Sequence, residues 1–130
     1  MEKGLGPSHP DLATSLQILA NLYHVMGRQM EAEPLYQRSL AVIENVLGAE
    51  HPGVSRCLNN LAKNNCAQGR YEEAEPHYER ALMIQEQVLG LEHPDLVGLL
   101  VTYSDLLRNL GRTDKADTLE AQARAIPAKH

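Results

Sequence analysis

The sequence repeats itself with a fixed period of 42 residues. The segment from Gly69 to Leu82 restates the segment from Gly27 to Leu40, and a shorter copy follows at residues 111–116. Aligned without gaps, residues 9–50 and 51–92 are identical at 19 of 42 positions. A period of this size is typical of solenoids, in which each structural unit packs only against its neighbours. Any fold proposed for the chain has to accommodate this repeat.

Each repeat carries the pattern of two amphipathic helices, which we call A and B. In the first repeat, apolar residues recur three or four positions apart over about residues 10–26 for helix A and 30–47 for helix B. The inward face of this first helix A is predicted to carry Leu12, Leu16, Leu19, Ala20 and Tyr23. A His-Pro pair opens each repeat, since proline is tolerated in the first helical turn. A Leu-Gly pair ends each of the first two B helices, because glycine suits a left-handed C-terminal position.

These patterns predict an all-α fold that forms a single array over residues 1–130. Residues 8–50, 51–92 and 93–127 are expected to form three helix pairs. The third B helix, predicted over 117–126, is more polar and is typical of a capping helix. Residues 1–7 match the end of a B helix and are interpreted as the remnant of a preceding repeat.

Composition excludes several classes of function. The net charge of −5 and a pI near 5.6 argue against a nucleic-acid-binding surface, which requires clustered basic residues. No apolar run approaches the length of a membrane span, so we expect no membrane association and a cytoplasmic location. The two cysteines, Cys57 and Cys66, lie too far apart on one predicted helix to form a disulfide bond.

The chain resembles the tetratricopeptide repeat family in its 42-residue, kinesin-light-chain-like form. The matching motifs are Leu58-Asn59-Asn60-Leu61-Ala62, Gly69-Arg70-Tyr71, Ala74-Glu75-Pro76, Arg80-Ala81-Leu82 and the link Leu89-Gly90 to His93-Pro94. The resemblance implies a right-handed α-solenoid of three helix-turn-helix repeats. It also implies a protein-binding scaffold, without enzymatic activity or cofactor, whose A helices line a concave groove for a peptide or protein segment.

The candidate groove residues lie on the A-helix face opposite the predicted core. With Leu58, Leu61 and Ala62 buried, that face can be read off the second repeat and carried to the others at the 42-residue spacing. The candidates on this face are Gln17, Asn21, His24, Arg56, Asn59, Asn60, Lys63, Thr102, Asp105 and Arg108. An asparagine amide both donates and accepts, so it can pair with a peptide backbone whatever the side chains. The alternative is that these are ordinary solvated residues.

Two further groups of residues suggest a metal site or acid–base catalysis, but a structural role explains each group better. The repeated His9, His51 and His93 are separated by a whole repeat, whereas zinc ligands lie about 2 Å from one point. They are therefore interpreted as helix-entry residues, and no metal site is predicted. The carboxylates of Glu72, Glu73, Glu75 and Glu79 lack a nucleophile or a pocket and are interpreted as a solvated face. His77 is expected near the surface.

Two further expectations concern packing. Asn65 stands where the other repeats have Tyr23 and Leu107, so its amide must find a backbone partner or leave loose packing. The first A helix is expected to expose Leu12, Leu22 and Met26, which predicts docking of an upstream segment or a weak homodimer through this N-terminal end. A structural spacer that makes contacts through its ends is therefore the alternative to groove binding.

Overall fold

The structure is a computed structural model that describes residues 10–127. Its helices are α1 (Pro10–Val25), α2 (Gln29–Leu47), α3 (Pro52–Ala67), α4 (Tyr71–Leu89), α5 (Leu96–Asn109) and α6 (Thr113–Ala125). No strand occurs between residues 10 and 127, so the predicted all-α fold is confirmed. Helices α1, α3 and α5 are the A helices, and α2, α4 and α6 are the B helices. The interpretation of residues 1–7 as a remnant falls outside the described residues.

The helices pack as three pairs stacked in chain order. Each A helix packs against its own B helix, while α2 also packs against α3 and α4 against α5. The core is consequently continuous along the stack. At the first junction Tyr36 of α2 lies in one apolar cluster with Leu61 of α3, and at the second the rings of Tyr78 and Tyr103 stack with their centroids 5.8 Å apart. The B helix of one unit thus covers the A helix of the next.

The histidines of the His-Pro pairs contribute to the helix starts. His51 is the N-cap of α3, where its Nδ1 accepts a hydrogen bond of 2.9 Å from the Gly53 backbone N–H. His93 Nδ1 accepts equivalently from the Asp95 N–H at 3.0 Å. The expectation that Pro94 starts the third A helix is wrong, because residues 91–95 form turns and α5 begins at Leu96.

Glycines end the helices in two different backbone conformations. Gly69, between α3 and α4, has a φ of +77°, a backbone angle that residues other than glycine rarely adopt. Gly48, the C-cap of α2, has φ 100° and ψ 155°. This conformation is an extended one restricted to glycine, so the predicted left-handed cap is wrong in ψ although the positive φ is present.

Two expectations about packing faces and one about a helix boundary require correction. Leu19 was expected to point inward but is 40% exposed, because no helix packs on that side of α1 within the described residues. Leu12 was expected to be exposed but is half-buried against the cluster that contains Ala13 and Val54. The third B helix starts at Thr113, four residues before the predicted start, since Gly111-Arg112 form the preceding turn.

A recurrent ion pair joins successive units, and the sequence reading missed it. The Arg70 guanidinium in the turn before α4 lies 3.1 Å from the Glu33 carboxylate on α2. One repeat further on, Arg112 pairs with Glu75 on α4, whose carboxylate also lies 3.7 Å from Lys115 Nζ. The Glu75 side chain is only 15% exposed, so its placement on the solvated face was wrong.

Two neighbouring asparagines of α3 are buried, and the first of them lies at the first junction. Asn64 Nδ2 donates to the backbone carbonyl of Gln29 at 2.9 Å, while its Oδ1 lies 2.9 Å from His24 Nδ1. Asn65 is 1% exposed, and its Oδ1 has no hydrogen-bond partner among the described residues. A backbone partner was one of the two outcomes expected for the Asn65 amide. The structure shows one for Asn64 instead, whereas the Asn65 Oδ1 accepts no hydrogen bond from residues 10–127.

Candidate binding groove

A cleft of about 400 Å³ lies between α3 and α5, the A helices of the second and third units. Its walls are Pro52, Ser55, Arg56, Asn59 and Lys63 from α3, Gly98, Leu99 and Thr102 from α5, together with Asp95 and with Gln85 of α4. This position follows from the stacking of the helices. On one side α4 packs against both α3 and α5, and on the other side the two A helices stand apart and leave the cleft between them.

The floor of the cleft is held by hydrogen bonds within the protein. Gln85 Nε2, reaching from α4, donates to Ser55 Oγ at 2.8 Å. Ser55 Oγ in turn donates to the Pro52 carbonyl at 2.8 Å, and the Ser55 side chain is buried. These bonds fix the floor, so the lining presents a preformed surface to a ligand.

Asn59 brings an unpaired polar atom to this surface. Its Oδ1 is buried and accepts no hydrogen bond from any described residue. An unsatisfied buried acceptor costs about 1–3 kcal/mol, so such an atom calls for an explanation. Asn59 lines the cleft, so a rotation of its side chain toward the cleft would let an incoming N–H or O–H group satisfy this oxygen.

Two cations stand at the rim. Arg56 and Lys63 are exposed, lie two helical turns apart on α3, and form no ion pair with any residue between 10 and 127. Asp95 supplies one carboxylate on the opposite side. The rim therefore favours a segment that carries negative charge toward α3, although the chain as a whole is acidic.

The predicted residues of the first unit are engaged within the protein. Gln17 is buried, and its Oε1 accepts a 2.8 Å hydrogen bond from Asn60 Nδ2, which ties α1 to α3. The Tyr36 hydroxyl donates to Asn21 Oδ1. His24 contacts the buried Asn64, as described above. Because Asn64 Nδ2 donates to a carbonyl, its Oδ1 is the acceptor and His24 Nδ1 carries the proton.

Of the predicted residues of the third unit, one lines the cleft and two lie outside it. Thr102 lines the cleft, and its hydroxyl donates to the Gly98 carbonyl at 2.8 Å. Asp105 is exposed and lies outside the lining of the cleft. Arg108 instead faces its own B helix, where it pairs with Asp117 at 2.8 Å and with Glu120 at 2.6 Å. The structure thus brings Arg56, Asn59, Lys63 and Thr102 together at one cleft.

Sequence reasoning missed three polar residues of the cleft. Ser55 directly precedes Arg56, and Asp95 lies just before α5 begins at Leu96, so including the start of each A helix in the predicted face would have found both. Gln85 comes from a B helix and carries no such signal, because only the stacking of α4 behind Ser55 brings it to the floor.

The described residues offer no other evident chemistry. Between residues 10 and 127 no group of three His, Cys, Asp or Glu side chains could hold a metal ion. None of the helices over the same range is long and apolar enough to cross a membrane. Burial raises the pKa of the Cys57 thiol, which is packed beside Ser39, and the same cause raises that of Cys66. Both thiols are thereby less nucleophilic.

Solved structures of other proteins share this arrangement. A Podosopora anserina protein of the kinesin-light-chain type with nearly identical TPR-like repeats is 30% identical, with a TM-score of 0.81 over 93% of this chain and 57% of that one. BtubC (BKLC) from P. vanneervenii is 26% identical, with a TM-score of 0.85 over 95% and 49%. The TPR domain of Arabidopsis FLU is 16% identical with a TM-score of 0.75 over 88% and 93%, a likeness of fold alone.

This chain spans about half the length of the first two of those proteins. Comparison with curated protein sequences gave no significant match. The sequence model of the tetratricopeptide repeat matches residues 11–82 and again residues 59–129, which together cover nearly the whole chain. The chain therefore belongs to the tetratricopeptide repeat family, and its repeats are of the kinesin-light-chain type.

Proposed function

We propose that this protein is an interaction scaffold that binds an extended segment of a partner protein in the cleft between α3 and α5. Tetratricopeptide repeats generally mediate protein–protein interaction. The observation that carries the proposal for this cleft is the buried, unpaired Oδ1 of Asn59. A backbone N–H of the bound segment donates to it, while carboxylates of the segment lie against Arg56 and Lys63. No cofactor takes part, and no catalytic step is assigned.

The cleft can be tested with peptides selected from a random display library on the purified chain. We expect Asn59→Ala to weaken the selected peptides by about tenfold, since a lost hydrogen bond is worth about 1 kcal/mol or more when its partner stays buried. Asn60→Ala is the matched control, because that amide already pairs with Gln17. Affinities measured by fluorescence anisotropy check both variants.

The charge of the rim is tested separately. The double variant Arg56→Glu with Lys63→Glu should abolish binding of acidic selected peptides. Arg38→Glu with Arg124→Glu changes the net charge equally on exposed B-helix positions and should leave affinity within about twofold at physiological salt, where distant charges are screened. Equal losses in the two double variants, or no effect of Asn59→Ala, would contradict binding in this cleft.

A second function is favoured by the apolar side chains exposed on α1. In that case the array is a structural spacer or assembly segment that makes its contacts through an end. The two functions separate cleanly, since substitutions at Asn59 and Arg56 would leave an end contact unchanged.

A further inference from the structure

Three apolar side chains form an exposed strip on the outer side of α1 and of the first residue that follows it. Leu19 is 40% exposed, and Leu22 and Met26 are each 54% exposed. We call these three residues the end face. Isolated exposed apolar residues are ordinary on protein surfaces, so exposure alone assigns no role to them.

The internal repeat shows that this exposure is anomalous. In the second unit the positions equivalent to Leu19 and Leu22 are Leu61 and Asn64, which are 2% and 0% exposed. In the third unit they are Tyr103 and Leu106, which are 1% and 2% exposed. In both of those units a B helix from the preceding unit covers the face, α2 over α3 and α4 over α5.

Val25 provides the contrast. It is 81% exposed, more than any residue of the end face. Its equivalents, Ala67 and Asn109, are also exposed although their units are covered. A helix stacked on α1 in the same geometry would therefore bury Leu22 and leave Val25 in solvent.

Charge at the adjoining turn points to the same kind of partner. Arg28 is equivalent to Arg70 and Arg112, each of which pairs with a glutamate on the preceding B helix. In the first unit Arg28 pairs with Glu31 of its own helix instead. Arg70 makes the corresponding contact to Glu73 while also binding Glu33, so the local pair does not exclude the second one.

The end face resembles the covered face of α5 more than that of α3. Leu22 and Met26 correspond to the apolar Leu106 and Leu110 in α5, but to the polar Asn64 and Gln68 in α3. The helix that covers α5 is α4. It supplies Tyr78 to the ring stack and Glu75 to the ion pair.

The last B helix of a second copy does not meet this requirement. At the α6 positions equivalent to Tyr78 and Leu82, the sequence has Glu120 and Arg124. Glu120 is already paired with Arg108. Head-to-tail stacking of two copies would bring these charged residues against the apolar end face.

We propose that the end face of α1 is a docking surface for an α4-like B helix from another repeat unit stacked in front of α1. That helix carries glutamate, tyrosine and leucine at the spacing of Glu75, Tyr78 and Leu82. The glutamate binds Arg28, and the tyrosine and leucine pack on Leu19 and Leu22. This inference is independent of the cleft between α3 and α5.

An in-register extension of the chain supplies the probe. A copy of residues 51–85 is joined directly before Glu2, since residues 2–8 correspond to residues 86–92 in the 42-residue alignment. The added unit then ends in an α4-type B helix at the natural spacing. Accessibility is read from maleimide labelling of Leu22→Cys, mapped by peptide mass spectrometry to separate it from Cys57 and Cys66.

We expect Leu22→Cys to label at least tenfold more slowly in the extended chain than in the original chain. Val25→Cys should label at the same rate in both chains. Replacing the added glutamate and tyrosine, at the positions copied from Glu75 and Tyr78, by lysine and serine should restore fast labelling at Leu22→Cys.

Two outcomes would overturn the proposal. Labelling of Leu22→Cys at one rate in both chains would show that the added helix does not dock there. Slower labelling in the original chain as its concentration rises, with a matching increase of mass in sedimentation, would assign the end face to a second copy. A surface charge, Leu22→Glu, gives an independent check, since it should lower the urea midpoint of the extended chain more than that of the original chain.

Discussion

At the scale of single residues, each position can be compared with the equivalent positions in the other two units. His77 on α4 occupies the position held by Leu35 in the first unit and Leu119 in the third. The expectation that it lies near the surface is only half right, since the side chain is half-buried. Its pKa is lowered, chiefly because burial disfavours the charged ring and despite the nearby carboxylates of Glu33 and Glu73.

A lowered pKa in the folded state makes stability depend on pH. Below about pH 6.5 the unfolded chain binds a proton at His77 more readily than the folded chain, so stability falls as the pH decreases through that value. We expect His77→Leu to remove part of this loss, and to raise the urea midpoint more at pH 5.5 than at pH 7.5. His51→Leu is a poor control because it removes a helix cap, so His77→Gln serves to separate the loss of charge from the gain in apolar contact. An equal effect of His77→Leu at both pH values would show that protonation of this residue is not linked to unfolding.

At the scale of helices, the periodicity of apolar residues was sufficient to predict most of the structure. It predicted all six helices and the burial of Leu58, Leu61 and Ala62, because a helix with one apolar stripe has one stable way to pack. It failed where a neighbouring unit decides the environment. Leu19 carries the same local pattern as Leu61, and only the helix stacked outside α3 makes one buried and the other exposed.

The candidate groove was predictable to a similar degree. Four predicted residues meet at one cleft, because Arg56, Asn59 and Lys63 share one face of α3 and Thr102 lies on the facing side of α5. Side-chain pairing is not encoded in that spacing. Nothing in the sequence indicates that Asn60 forms a hydrogen bond with Gln17, or that Arg108 pairs with the carboxylates of α6.

The ion pair between successive units provides a test at this scale. Glu75→Gln should lower the free energy of unfolding by about 1 kcal/mol, because a mostly buried carboxylate loses its pairing with Arg112 and Lys115. Glu79→Gln on the exposed side of the same helix should change it by less than about 0.5 kcal/mol. Chemical denaturation in low and high salt checks the result, since the difference between the two variants should shrink as salt screens the pair. Indistinguishable variants would mean that the pair between the units contributes nothing to stability.

At the scale of the whole molecule, stability should vary along the stack. In an array of this kind each unit is stabilised by its own helix pair and by its interfaces with adjacent units. Within the described residues, α3 and α4 are covered on both sides, whereas α1 has a partner on one side and α6 presents a polar outer surface.

Hydrogen exchange should report this gradient directly. We expect backbone amides of α3 and α4 to exchange at least tenfold more slowly than those of α1 and α6 at matched intrinsic rates, since terminal units open without disrupting the centre. Exchange followed by mass spectrometry resolves the helices. Uniform protection across all six helices would indicate a single cooperative unit instead.

The two junctions of the stack differ in their chemistry, and this difference gives the array a fixed order. The first is sealed by the buried amide of Asn64, which requires the Gln29 carbonyl and the His24 ring at defined positions. The second is closed by the stacked rings of Tyr78 and Tyr103, and the apolar Leu106 stands there at the position equivalent to Asn64. A unit moved from one junction to the other would bury an amide without a partner, which costs about 1–3 kcal/mol. Units with similar sequences thus differ in the residues that they bury at their junctions. Each unit therefore packs well only against its own neighbour, and this fixes the order of the units in the stack.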